Sequence, residues 1–328
     1  VIDENAVLER VISDADPGRT PRDAAPDAGA IATRDRILRS TAAPKKHRRV
    51  RALGWASGVV AVATASVVAF ALLTPQVAAV AGTPSPLEFE GEATVTGIVD
   101  EAQTDLAASA GPAEAERTVR TASWGFSVDV GNEVTTVVPQ LSTLIWEPDG
   151  SGGMTIVAGV PYDPADAVAN SAAEVTSSGE VVTDLVMEPG DFTTPWTTVP
   201  AADGEDTAAM LRAFGMPDDP TAFDVESAFT SVLQQWTLTN AQHAALLSLL
   251  EETGDGVALG TSTDRLGRPV AGIRVQSPDG AVSDLVLISR ETGRIVGVER
   301  TVLIADEVFD AGAIISYEMW DVTEEMIE

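Results

Sequence analysis

Ala52 to Leu73 is a run of 22 residues without a single charge. At about 1.5 Å per residue, a helix of that length crosses a ~30 Å hydrocarbon core. Lys45, Lys46, Arg48, Arg49 and Arg51 crowd its N-terminal side, and the next basic residue after it is Arg117. Basic residues stay on the cytoplasmic side of a span. The run therefore predicts a single-pass protein with residues 1–51 in the cytoplasm and the remainder outside. A cleaved signal peptide is the alternative, since Pro75 follows the run and Ala79-Val80-Ala81 offers a small-x-small site before Gly82. The run exceeds the ~7–15-residue core of a signal, and 51 residues precede it, so retention is the expectation. The pair Arg48-Arg49 reads as part of the basic flank rather than as a twin-arginine export signal.

The charge divides at the same place. Residues 1–51 hold 11 basic side chains against 8 acidic ones, whereas the rest of the chain holds 9 against 42. An export domain with a net charge of −33 repels phosphate backbones, which excludes nucleic acid as its ligand. The absence of cysteine excludes disulfides, thiolate nucleophiles and thiolate-bound zinc. With two histidines, His47 and His243, no histidine-rich metal site can form; the only lysines, Lys45 and Lys46, lie in no phosphate-binding loop. Neither a metal nor a cofactor is expected.

In the tail, expected to be partly disordered with transient helix, Val7, Leu8, Val11 and Ile12 make a short helical stripe, so residues 4–13 are a candidate docking helix for a cytoplasmic protein. Residues 74–96 read as a spacer and 97–328 as the extracytoplasmic domain. Ile98, Val99, Ala102 and Leu106 recur at helical spacing. From Thr121 to Val130 the period changes to two, placing Trp124, Phe126 and Val128 on one face of a strand. A second strand runs from Glu133 to Trp146 and ends in the turn Glu147-Pro148-Asp149-Gly150. The stretch from Asp203 to Gly254 is helical, with Val225, Phe229, Val232, Leu233 and Trp236 in one stripe and Thr239-x-x-Gln242 as a capping box. Strands near 270–276, 281–289, 294–304 and 312–322 follow, the first three as an antiparallel meander. The helices need this sheet to cover. The fold class is thus α+β: a tail, one span, and a curved antiparallel sheet covered by helices.

His243 shares a helical face with Leu246, Leu247 and Leu250, and no G-x-S-x-G elbow accompanies it, so it reads as a packed imidazole. Gly254-Asp255-Gly256 with Gly260 follows a helix and precedes a strand, the reverse of a dinucleotide loop, and reads as a turn. Asp264-Arg265-Leu266-Gly267-Arg268-Pro269 concentrates an acid and two arginines, as a strand-entry turn held by an Asp–Arg pair would; a ligand contact is the rival reading. The 42 acids of the export domain supply carboxylate pairs of the kind a hydrolase needs, yet no spacing singles one out. Core packing is the commoner use of tryptophan; if the sheet is a half-barrel, Trp146, at the end of its strand, and Trp320, on the last strand, are placed to line the mouth of an apolar groove of roughly 300–1,000 Å³.

The run "LTNAQHAALLSLLEETGDGVALGTSTDRLGRPVAGIRV" leading into "LVLISRETGRIVGVE", with the strand "SWGFSVDV" and the Glu-Pro-Asp-Gly turn, resembles an uncharacterised actinobacterial family of single-pass membrane proteins. Members are often encoded beside extracytoplasmic-function sigma factors, which implies topology and a signalling context but no catalytic residues. More distantly, the order of one helix, sheet, inserted helices and meander resembles the half-barrel of periplasmic lipoprotein carriers and sigma-regulator sensors. Fold likeness alone does not establish function. The chain departs from zinc-type anti-sigma factors in having no cysteine. The expectation is a non-enzymatic, membrane-anchored binding or sensor protein of the cell envelope, with an envelope lipid or protein as partner and an accessory role in sigma-factor signalling. A carboxylate-dependent envelope hydrolase and a structural envelope protein are the alternatives.

Overall fold

A computed structural model describes residues 83–129, 134–305 and 309–327. The docking stripe at 4–13, the flank Lys45, Lys46, Arg48, Arg49 and Arg51, and the apolar run 52–73 lie outside the described residues. Among the described residues no helix is long and apolar enough to cross a membrane.

The fold is α+β. In chain order the elements are α1 (Val95–Ala108), β1 (Thr118–Asp129), β2 (Val134–Trp146), β3 (Gly152–Gly159), α2 (Ala167–Ala172), β4 (Ser177–Met187), α3 (Thr207–Ala213), α4 (Ala222–Leu233), α5 (Asn240–Glu252), β5 (Val257–Thr263), β6 (Pro269–Gln276), β7 (Val282–Ser289), β8 (Ile295–Val302), β9 (Ile314–Met319) and α6 (Glu324–Ile327). The nine strands form one large curved antiparallel sheet in the order β4-β3-β2-β1-β9-β8-β7-β6-β5. It consists of two meanders that meet where Ala122 of β1 pairs with Met319 of β9.

Helices start where the sequence supplies a cap. Thr221 and Thr239 each accept from the backbone N–H three residues on, while Asp224 and Gln242 return the bond as capping boxes. Ile98, Val99, Ala102 and Leu106 are the buried residues of α1, as their spacing predicts. Helices α1, α3, α4 and α5 bury their stripes in the main core, where Phe229, Val232, Trp236, Leu246 and Leu250 meet Val119, Leu144, Ile273, Val286 and Ile295.

Trp124 is not in that core. Side chains alternate between the faces of a strand, and Val119 in the main core and Ala122 and Trp124 in a second cluster are out of phase. The second cluster, on the face opposite the helices, joins Trp124 to Tyr317, with ring centroids 5.7 Å apart, and to Leu141, Ile314 and Val322. Alternation shows that residues share a face, but not which neighbour covers it. Farther along the same face Leu87 and Phe89 pack on Val270, Leu287 and Val296. Residues 83–94, a spacer by sequence, are therefore part of this domain.

Candidate functional site

Trp146 and Trp320 do not line a groove. Trp146 is 1% exposed, packed edge-on against Trp236 (4.9 Å between centroids) and tilted against Phe192, with its indole N–H donating to the Gln235 carbonyl at 2.6 Å. The Arg117 guanidinium lies 5.1 Å from its ring and 5.0 Å from that of Trp236. Trp320 is 3% exposed, beside a cavity of only about 10 Å³, room for about one water. The register turns Trp146 onto the face the helices cover, and Trp320 belongs to the same main core. Position at a strand end could not report this.

The larger opening lies on the opposite face. A groove of about 740 Å³ runs between residues 85–90, the end of α2 and β5, with Ser85, Glu88, Ser171, Glu174, Ser262 and Thr263 among its lining residues. Its near wall is an extended strap. Glu90 and Thr261 exchange two backbone hydrogen bonds of 2.9 Å, Ser262 Oγ donates to the Glu88 carbonyl, and Asn170 Nδ2 donates to the Thr83 carbonyl. Two glycines make room for it. A Cβ on Gly260, where φ is +91°, would stand 2.3 Å from the Glu90 carbonyl oxygen, and one on Gly272 would stand 2.4 Å from the Phe89 ring.

The turn Asp264–Arg268 fixes the floor. Asp264 Oδ1 accepts from the backbone N–H groups of Leu266 and Arg268, and Oδ2 accepts from Arg268 Nε at 2.7 Å, the strand-entry turn read from the sequence. Arg268 continues to the carbonyls of Trp320 and Val296. Arg265 turns inward instead: Nε donates to Glu299 at 2.7 Å and Nη2 to the Ser85 carbonyl of the strap at 2.7 Å. Both members of the Arg265–Glu299 pair are 1% exposed. Burial pushes the Glu299 carboxyl up despite the neighbouring guanidinium, the outcome expected where desolvation outweighs attraction. Tyr162 and Tyr317 adjoin the pair; burial raises both phenols, that of Tyr162 to about 12. Their hydroxyls and Glu299 Oε1 have no hydrogen-bond partner. The site is thus a hydroxyl- and carboxylate-lined groove above a buried polar cluster. Its chemistry suits a hydrogen-bonding ligand and offers little to an acyl chain.

A second acidic cluster lies under α4. Glu226 and Asp284 are both 0% exposed. Burial first, and the adjacent Asp284 second, push the Glu226 carboxyl well above its ordinary range, so Glu226 is the protonated member. Asp284 is held by Arg300 through bonds of 2.8 and 2.5 Å. Nearby in the sheet, Glu318 accepts from Gln234 Nε2 at 2.6 Å and is pushed up to about 7 by burial. These are two acids in the company a hydrolase would need, but Glu226 and Asp284 are sealed from solvent. His243 is 1% exposed; its Nδ1 accepts from the Ile295 N–H at 3.2 Å, and burial together with Arg294 holds it neutral. Gly254, with φ +74°, closes α5, and Asp255 accepts from the Ala222 N–H at the start of α4, as a turn reading requires.

No protein-family model matches the chain, and no curated protein is similar to it.

Proposed function

We propose that the chain is a membrane-anchored binding or sensor protein of the cell envelope, with residues 1–51 cytoplasmic, one span at 52–73, and a ligand-binding domain outside. The observation that carries this reading is the strap. The first described segment after the proposed span is built into the domain as a wall of the 740 Å³ groove and as the roof over Arg265–Glu299. The nine intervening residues, 74–82, reach at most about 30 Å, so a ligand that moves the strap pulls on a short tether. In this reading the domain is a half-barrel whose helix-covered face is filled by packed side chains, and a polar envelope ligand, a glycan or a peptide, engages the other face. Membership of the actinobacterial family that the sequence resembles, and an accessory role to a sigma factor through residues 4–13, complete the proposal. The hydrolase alternative has less support, because the close pair Glu226–Asp284 is sealed from solvent and no geometry singles out a pair among the carboxylates that line the groove.

The test is mass spectrometry of what co-purifies with the full chain from membranes in mild detergent, beside Thr263→Trp, which fills the groove. A polar ligand retained by the parent and lost from the variant supports the reading. Acyl lipids retained equally by both contradict it.

A further inference from the structure

The two edges of the sheet are treated differently. β5 is covered by its own chain, since Glu90 of the strap pairs with Thr261. β4, at the opposite edge, has no strand beyond it among the described residues; α6 reaches its first residue, Ser177 Oγ donating to the Ile327 carbonyl, and most of the strand's 11 residues are exposed. Apolar side chains stand in the open there: Val181 at 56%, Leu185 at 45% and Val186 at 75% exposure, with Ile145 of β2 at 48%. Register places Val186, Gly153 and Ile145 side by side across three strands. Among these side chains lie Glu180 and Asp184, followed by Glu188, and among the described residues none of the three has an ion pair.

We propose that the β4 edge is a docking site for an extended segment of another protein in which apolar and basic residues alternate, added as a tenth strand. Main-chain hydrogen bonds to the free edge supply affinity and the alternating side chains supply selectivity. The molecule already shows how its sheet takes such a segment: the strap alternates Leu87 and Phe89, which pack on the sheet, with Glu88 and Glu90. At β4 the apolar positions call for the same partner pattern, and the unpaired carboxylates reverse its charge to basic. A second copy of this chain is a poor occupant. Antiparallel self-pairing gathers the carboxylates of both copies along strands that hold no basic residue, and in the registers centred on Val182 and Asp184 it sets Glu180 against Asp184, or Asp184 against itself and Glu180 against Glu188. Like charges directly opposite are destabilising. Carboxylates alone would serve to keep an edge from aggregating, but that role leaves the open valines and leucine without a use.

The probe is an eight-residue peptide alternating lysine and valine, titrated against the full chain in non-ionic detergent, with the glutamate–valine peptide as control. Amide exchange reads where it binds, and anisotropy reads how tightly. The expected result is slowed exchange over residues 177–187 and binding at least tenfold weaker in Glu180→Lys/Asp184→Lys. Glu205→Lys/Asp219→Lys, which changes net charge equally away from β4, is expected to shift binding less than about threefold. Protection confined to other segments, equal weakening by the two charge reversals, equal binding of the glutamate peptide, or a dimer joined through β4 would each overturn the proposal.

Discussion

Four of the seven arginines beyond Trp196 are spent inside the fold, each joining parts distant in sequence. Arg265 ties the strap to β8, Arg268 ties its turn to β8 and the end of β9, Arg294 joins Asp321 to the start of α5, and Arg300 joins β8 to β7. Removing the guanidinium of Arg265, Arg268 or Arg300 leaves a buried carboxylate, Glu299, Asp264 or Asp284, without its ion-pair partner. Arg265→Met is expected to lose about 3–5 kcal/mol in chemical denaturation, the usual cost of breaking a sealed ion pair. Arg265→Met/Glu299→Leu is expected to regain most of it, while exchange at 83–90 stays fast because the Ser85 carbonyl still lacks its donor.

Glu318 carries a pH dependence of defined sign. Its carboxyl is raised from the ordinary 4.5 to about 7, so between those values the native chain keeps a proton that the unfolded chain has released. The stability it contributes is complete below about pH 4.5 and is lost as pH rises to about 7, at no more than ~1.4 kcal/mol per pH unit. Glu318 retains some solvent exposure, which reduces that slope. Glu318→Gln keeps a partner for Gln234 and removes the proton. Denaturation midpoints compared at pH 5 and pH 7.5 are expected to fall less with rising pH in the variant; identical pH profiles would contradict this placement.

At the scale of elements, the strap and the helix caps are separable. Gly272→Val puts a side chain where the Phe89 ring lies, and is expected to cost about 1–3 kcal/mol and to bring exchange at 83–90 close to that of free chain. Thr239→Ala, which deletes a capping hydroxyl, is expected to cost about 1 kcal/mol and to leave the strap protected. The same elements show what the sequence made legible. α1, the Thr239–Gln242 capping box and the β6–β7–β8 meander have one polar and one buried side or a defined turn, and a period can express that; the Thr221–Asp224 box was not read from the sequence. β3 opens on Gly152-Gly153, β5 is built of small residues, and β4 is exposed on both sides, so none carries an alternation to detect. The strap escaped notice because what seats it is the absence of side chains at Gly260 and Gly272. The groove draws its hydroxyls from three separate segments, and no spacing in one of them announces it. Trp146 and Trp320 misled for the converse reason: Trp146 does end its strand, but the face on which its ring lies depends on register, and Trp320 stands just past the end of β9 rather than on it, with its ring in the main core.

For the whole molecule, the proposed topology puts the membrane between residues 51 and 74, with the basic segment on its cytoplasmic side and the strongly acidic domain outside. The chain has no cysteine, so a single introduced thiol reports its own compartment. Val168, 79% exposed on α2, is a site that tolerates it, and Ser40 serves for the tail. With a membrane-impermeant maleimide on intact cells, Val168→Cys is predicted to label at once and Ser40→Cys only after permeabilisation. Labelling in the reverse order, or protection of Val168→Cys in intact cells, would contradict an anchored extracytoplasmic domain.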